Sequence, residues 1–279
     1  DDNELVLLQV NDLRKTYHTS SGIFGPTRVV HAVDKVSFDI AQGETLGIVG
    51  ESGSGKSSLG RCIIRLMQPD AGTIRLDDVD ISALNGGELR RHRRLIQMIF
   101  QDPYGSLNPR TKVGRIVADG LIAAGRSKAS AMARSRELLE LVGLGGSAAD
   151  RYPHEFSGGQ RQRIGIARAL ALDPRLIIAD EAVSALDVTI QAQVLELLAE
   201  LKKKFNLSLL FITHDLRVAA QICDRIAVMQ NGRIVEIGSV NEVFFEPKQD
   251  YTKKLLAAMP GTNANFMASA ERNPNRIEV

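Results

Sequence analysis

Apolar positions along the chain fall into short runs that alternate with segments of helical pattern. Runs bounded by turn residues predict strands at residues 5–13, 32–40, 44–49, 72–76, 95–100, 176–180 and 207–213. Helices are predicted after Lys56 and at residues 160–172 and 188–205. Strands that alternate with helices in this way usually form a parallel sheet with right-handed crossovers. The pattern therefore predicts an α/β fold.

The pattern of residue types along the chain changes after residue 102. Turn residues at 102–109 lead into two helix-like segments, 113–124 and 129–142, that lack runs of β-branched residues. This change predicts a helical subdomain at 103–165 that interrupts the α/β core. The core would then comprise residues 4–102 and 166–238.

Two further features mark the C-terminal part of the chain. Two short strand-like runs flank Asn231-Gly232, a strong signal for a β-hairpin. Beyond residue 260 the sequence is polar and rich in Asn, so it has little apolar surface to bury. We therefore expect a C-terminal extension at 239–262 and a disordered tail at 263–279.

Composition and charge exclude several classes of protein. The chain has 279 residues, of which 44% are hydrophobic, and 35 basic against 33 acidic residues give a net charge of +2. This balance provides no global field that would favour nucleic acid, and the basic run at 90–94 is best interpreted as a solvated helix end. The two cysteines suit small core residues, and no apolar run approaches the ~20 residues that span a bilayer. We expect a soluble, cytosolic protein.

The strongest chemical signal is a complete G-x-x-x-x-G-K-[ST] motif at residues 50–57, directly after a predicted strand. Backbone N–H groups of such a loop surround phosphate oxygens, and the helix that follows points its positive end at the same charge. Lys56 would reach the β- and γ-phosphates, and Ser57 would offer its hydroxyl to Mg²⁺. The predicted nucleotide-binding residues are Gly50, Ser52, Gly53, Ser54, Gly55, Lys56, Ser57 and Ser58.

Polar residues at the ends of three predicted strands complete this site. Asp180 ends an apolar strand, where a carboxylate can hold Mg²⁺ beside phosphates, and Glu181 can polarise an attacking water. Gln101 could meet both the metal and the water, and His214 could contact the γ-phosphate or orient the water. Tyr17 could stack on adenine or could be a structural aromatic, and the sequence leaves both readings open.

Ser157-Gly158-Gly159-Gln160 precedes a second helix and forms a second anion site. One phosphate tail cannot rest on two helix N-termini of a single compact sheet unless these face each other. A dimer solves this problem, because the second site is then supplied by the opposing subunit. A plain N-cap would explain Ser157 but not the two adjacent glycines.

These motifs, in this order, resemble those of ABC-transporter ATPase subunits over about residues 4–260. They are the Walker A motif at 50–57, Gln101, Phe156-Ser-Gly-Gly-Gln160, the strand and acidic pair at 176–181, Ser184-Ala-Leu-Asp187 and His214. Segments 100–109, 152–163 and 184–193 resemble the oligopeptide/dipeptide (peptide/nickel) importer group, and 251–260 resembles its C-terminal extension.

The resemblance implies a P-loop NTPase core of the ABC ATPase type, with an antiparallel β edge and an inserted helical subdomain. It implies ATP hydrolysis with Mg²⁺, on the cytoplasmic face of the inner membrane, by a peripheral subunit. The implied partners are two transmembrane permease subunits, a second ATPase subunit in a hetero- or homodimer, and indirectly a substrate-binding protein. The cargo would be a di- or oligopeptide, or alternatively nickel or another small solute. The turn at 102–108, with Tyr104 and Leu107 at its surface, would contact the permease.

The sequence departs from the family pattern in two places. Two alternative functions also remain open. Ala182 stands where the family usually has Pro, and the extension lacks a cysteine cluster that related subunits often carry. An ABC ATPase of translation or DNA repair usually has two fused domains or a long coiled coil, which this length does not accommodate. A nucleotide switch without turnover would not require Glu181 and His214, which are both intact.

Overall fold

The computed structural model describes residues 5–20, 27–102 and 104–259, so the tail predicted at 263–279 lies outside the described residues. The strands are β1 (Val6–Ser20), β2 (Thr27–Ala41), β3 (Thr45–Val49), β4 (Ala71–Leu76), β5 (Val79–Asp80), β6 (Ile96–Ile99), β7 (Leu176–Asp180), β8 (Ser208–Thr213), β9 (Arg225–Gln230) and β10 (Arg233–Ser239). The helices are α1 (Lys56–Ile63), α2 (Gly86–Arg93), α3 (Val113–Ala123), α4 (Lys128–Leu141), α5 (Gly158–Leu170), α6 (Val188–Phe205), α7 (Leu216–Ile222), α8 (Val240–Phe245) and α9 (Asp250–Ala257), with 3₁₀ turns at Gly146–Asp150 and Pro153–Glu155.

The larger sheet confirms the predicted α/β core. Its order in the described residues is β10-β9-β3-β8-β7-β6, and the strands from β9 to β6 run parallel. Every residue of β3, β7 and β8 is buried, as expected for parallel strands covered on both faces. The Asn231-Gly232 turn joins β9 to β10 as an antiparallel hairpin. The carboxyl ends of β3, β8, β7 and β6 therefore meet at one edge.

The antiparallel part of the fold forms a sheet of its own, with the order β2-β1-β4-β5. Helix α1 lies between the two sheets, where Leu59 and Ile63 share an apolar core with Ile40 and Ile178. Cys62 is fully buried in the same core, as expected for a small core residue, and burial raises the pKa of its thiol to about 11. The helix that carries the phosphate motif is thus fixed from both sides.

Helices α3, α4 and α5 form the helical segment and share one apolar cluster with α6 and β7. Leu107 belongs to this cluster and is only 3% exposed, so the predicted surface contact through Leu107 is wrong. The turn reverses the chain, and its one aliphatic side chain folds inward, where it leaves water. Tyr104 is 62% exposed and stays at the surface. Helix α5 runs across residue 165, the predicted end of the helical subdomain.

The C-terminal helices α8 and α9 pack on the larger sheet through a third apolar cluster, which contains Val49, Ile226 and Val228. The basic run at 90–94 lies at the end of α2, a helix with no buried residue, as expected for a solvated helix. In the part of the chain that the structure describes, each helix is too short or too polar to cross a bilayer.

Candidate functional site

The loop between β3 and α1 has a shape that only glycine permits at two positions. A Cβ at Gly50 would lie 2.2 Å from the carbonyl oxygen of Met229, and one at Gly55 would lie 1.9 Å from that of Ala32. Gly55 also has a φ of 101°. It is the N-cap of α1, and no side chain caps the helix there. The first N–H groups of α1 are therefore available to an anion.

The ammonium group of Lys56 is held inside this loop. Its Nζ donates to the carbonyl oxygens of Gly50, at 2.7 Å, and Glu51, at 2.8 Å. Burial lowers the pKa of Lys56, whereas the carboxylates of Glu181 and Asp180 raise it. The loop thus holds a buried cation beside the uncapped end of α1.

Asp180 and Ser57 meet across the gap between β7 and α1. The Ser57 hydroxyl donates to Oδ1 of Asp180 at 2.9 Å. Burial raises the pKa of Asp180, and the hydrogen bond from Ser57 lowers it. A hydroxyl and a carboxylate oxygen suit Mg²⁺, which proteins usually hold through one or two such groups together with substrate phosphates. Among the described residues no cluster of three His, Cys, Asp or Glu side chains could hold a metal by itself.

Glu181 and His214 form a pair at the ends of β7 and β8. Glu181 has a φ of 51°, and its N–H donates to the Ile212 carbonyl at 2.9 Å, which fixes the turn. Nδ1 of His214 lies 3.1 and 3.0 Å from the two carboxylate oxygens of Glu181. The carboxylate of Glu181 is mostly covered, whereas the imidazole is mostly exposed. The structure thus places the predicted base and His214 in direct contact.

Two further predicted residues, Gln101 and Tyr17, lie on either side of α1's sheet contacts: Gln101 follows a strand of the larger sheet, and Tyr17 lies on β1 of the other sheet. Gln101 is exposed and follows β6, the strand next to β7. The hydroxyl of Tyr17 donates to Sδ of Met67 at 2.6 Å and lies 3.4 Å from Oγ of Ser58 in α1. Tyr17 is therefore placed beside the phosphate helix, and its stacking on adenine stays a prediction.

The Ser157 segment is an N-cap with one unexplained glycine. The N–H of Gln160 donates to Oγ of Ser157 at 3.3 Å, and the N–H of Ser157 donates to Oε1 of Gln160 at 2.9 Å. A Cβ at Gly159 would lie 2.4 Å from Cγ2 of Ile190, so packing against α6 requires this glycine. Among the described residues, a Cβ at Gly158 would have no neighbour closer than 3.7 Å. Contacts within this part of the chain therefore do not explain Gly158.

Gln162 is a residue that the sequence did not single out. It is buried in α5, and its Nε2 donates to the Ala182 carbonyl at 2.6 Å. It thus ties the helix that begins after Ser157 to the turn that follows Glu181. Several polar residues surround Gln162 in the sequence, and neither residue type nor spacing distinguishes it from them. Only the three-dimensional packing reveals this contact.

Comparisons with known proteins agree with this geometry. The family described as ABC transporter matches residues 33–184. A putative peptide import ATP-binding protein of Brucella ovis is 51% identical over 99% of this chain and 85% of its own length. The glutathione import ATP-binding protein GsiA of Shigella flexneri is 53% identical over 91% of this chain, which spans 41% of that protein.

Two solved structures share the fold. One is a dimeric ATP-binding cassette in a post-hydrolysis state, bound to ADP and Pi, with a TM-score of 0.74, 30% identity, and coverage of 84% of this chain and 99% of that one. The other is cbiO1 from Clostridium perfringens, part of the ABC transporter complex cbiONQ, with a TM-score of 0.75, 28% identity, and coverage of 92% and 97%. The phosphate loop, the acidic strand end and these matches together show that the chain belongs to the ABC transporter family, as one of its ATP-binding and ATP-hydrolysing subunits.

Proposed function

We propose that this chain powers the import of di- or oligopeptides by hydrolysing ATP. The observation that carries the proposal is the 51% identity to a putative peptide import ATP-binding protein over nearly the whole chain. The match to a glutathione importer subunit points the same way, because glutathione is itself a small peptide. Nickel or another small solute is the alternative cargo, and an ABC ATPase outside transport is the more distant alternative.

Within this function we assign phosphate binding to the loop at 50–58 and to the ammonium of Lys56. Ser57, Asp180 and Gln101 would hold Mg²⁺, which neutralises phosphate charge when bound. Two observations support the assignment: the free N-terminus of α1 and the contact between Ser57 and Asp180. Tyr17 would contact the adenine.

Glu181 would polarise the attacking water through its carboxylate. His214 supports this role, since its ring contacts the same carboxylate and can hold it in one orientation. The imidazole would also orient the attacking water. The carboxylate is mostly shielded from solvent, which strengthens its hydrogen bonds.

The opposing subunit would complete each ATP site with its own Ser157, Gly158, Gly159 and Gln160. No packing contact of the described residues requires Gly158, and this supports the proposal, because a missing Cβ allows close approach of a phosphate. The solved relative with bound ADP and Pi is also a dimer. The opposing subunit would be a second copy or a different ATPase subunit. The dimer would dock, at the cytoplasmic face of the membrane, on two permease subunits that receive cargo from a substrate-binding protein.

We place the permease contact at the exposed ring of Tyr104, three residues after Gln101 in the sequence. The guanidinium of Arg161 lies 3.9 Å from the ring centre, so the ring is oriented by α5. A loop placed there can respond when Gln101 gains or loses contact with the metal. It can therefore transmit the ATP state to a partner.

Replacing Tyr104 with Glu should weaken co-purification with the permease by tenfold or more, since buried aromatic residues dominate interface energies. Uptake of labelled peptide should fall with it, and ATP binding by the isolated subunit should be unchanged. Val79→Glu is the matched control, because Val79 is an exposed apolar residue on β5. Normal co-purification and uptake by the Tyr104 variant would exclude this contact.

A further inference from the structure

A residue of the C-terminal extension touches the phosphate loop directly. The backbone N–H of Glu51 donates to the hydroxyl oxygen of Tyr251 at 3.1 Å. Tyr251 lies in the first turn of α9, which follows the last strand of the larger sheet in the chain. Burial raises the pKa of Tyr251, and the hydrogen bond from Glu51 lowers it.

The peptide group that Tyr251 contacts also holds Lys56. The N–H of Glu51 and the carbonyl of Gly50 belong to one planar peptide unit, so they turn together. That carbonyl accepts from Nζ of Lys56 at 2.7 Å. Tyr251 on one side of the peptide and Lys56 on the other therefore fix its orientation. A second loop carbonyl, that of Glu51, accepts from the same Nζ at 2.8 Å.

Helix α9 is itself anchored to the core. The carboxylate of Glu236, on β10, accepts from the N–H groups of Lys248 at 2.7 Å and Gln249 at 3.1 Å, just before the helix. The ring of Tyr251 packs in the cluster that contains Val49, the last residue of β3 before the loop. The hydroxyl is thus held at a defined place relative to the strand that enters the loop.

We infer that Tyr251 is a positioning residue for the phosphate loop, acting on the ammonium of Lys56 through the Gly50–Glu51 peptide. The inference rests on the proposed role of this loop in binding ATP. A lysine ammonium has three N–H donors: two go to loop carbonyls, and the third makes only a long, 3.4 Å contact with Oγ of Ser54, so it is the donor that can turn to a phosphate. Without the tyrosine hydroxyl the peptide can rotate, and Lys56 loses part of its orientation before ATP arrives.

The test is Tyr251→Phe, which removes the hydroxyl and keeps the ring. In the co-purified transporter, KM for ATP should rise about threefold to tenfold, the scale of one net hydrogen bond, with kcat at saturating ATP within about twofold of wild type. In the isolated chain, hydrogen exchange of the Glu51 amide should accelerate. Glu236→Ala, which frees the start of α9, should reproduce both effects.

Leu255→Ala is the matched control, since it removes an apolar contact one turn beyond Tyr251 and leaves the hydroxyl and the Glu236 anchor at the start of α9 in place. It should lower thermal stability and leave KM unchanged. Unchanged KM and Glu51 exchange in Tyr251→Phe would overturn the inference, as would a KM rise of equal size in Leu255→Ala. Lys56→Ala distinguishes the proposed role of the loop from the inferred role of Tyr251. If Lys56→Ala does not weaken ATP binding, the proposed role of the loop is wrong. If Lys56→Ala weakens ATP binding but Tyr251→Phe changes neither KM nor Glu51 exchange, only the inference about Tyr251 is wrong.

Discussion

Glu181→Gln should bind ATP with nearly wild-type affinity and hydrolyse it about a hundredfold to ten-thousandfold more slowly, the usual contribution of a general base. Its amide keeps the size of the carboxylate but cannot accept a proton from water. We assign the phosphate and metal contacts to other residues, Lys56, Ser57 and Asp180, so binding should persist. The variant should also accumulate as an ATP-bound dimer, because in the proposed cycle hydrolysis separates the subunits.

Single-turnover hydrolysis and equilibrium binding of ATP measure these two effects separately. Glu200→Gln is the matched control, since Glu200 is exposed on α6 and the same charge is removed. Near-normal turnover in Glu181→Gln would show that Glu181 is not the base, and His214 would become the candidate for that role.

Ser157→Arg should lower the ATPase activity of the assembled complex about a hundredfold or more, the scale of losing one preorganised donor at a transition state. The isolated monomer should bind ATP as well as wild type, because its own loop does not include Ser157. Gly158→Ala should behave similarly without loss of stability, since a Cβ there finds room within this chain.

The loss of a helix cap must be separated from the loss of the trans contact. Ser239 caps α8 in the same reciprocal arrangement with Glu242, so Ser239→Arg removes an equivalent cap on a helix that is not assigned to the ATP site. Both serine variants should lose about 1 kcal/mol of stability. Only Ser157→Arg should lose activity. Reduced ATP affinity of the Ser157→Arg monomer would instead mean that this segment acts within its own subunit.

The sequence predicted those parts of the site that depend on local pattern. A buried parallel strand has nearly continuous apolar residues, so β3, β7 and β8 and their polar ends could be recognised, and parallel strands bring those ends to one edge. The contacts between Ser57 and Asp180 and between Glu181 and His214 then follow from strand order. Ser157 was correctly seen as the start of a helix.

Other features depend on long-range packing that no local pattern contains. The buried side chain of Leu107 was wrongly expected at the surface, because turn composition shows where the chain reverses but not which side chain points inward. Tyr251 meets Glu51 across 200 residues of sequence, and Gln162 meets Ala182 across two elements. Such contacts follow from how α9 and α5 pack on the sheet.

The most direct test of the central claim is ATP-driven uptake into proteoliposomes that contain the transporter co-purified with this chain. ATP is placed on the side of this subunit, and the binding protein with a labelled dipeptide or radioactive Ni²⁺ on the other. We predict that the peptide accumulates against its gradient only while ATP is hydrolysed, and that Lys56→Ala abolishes both processes. Hydrolysis that moves no peptide, or accumulation of Ni²⁺ instead of peptide, would contradict this claim.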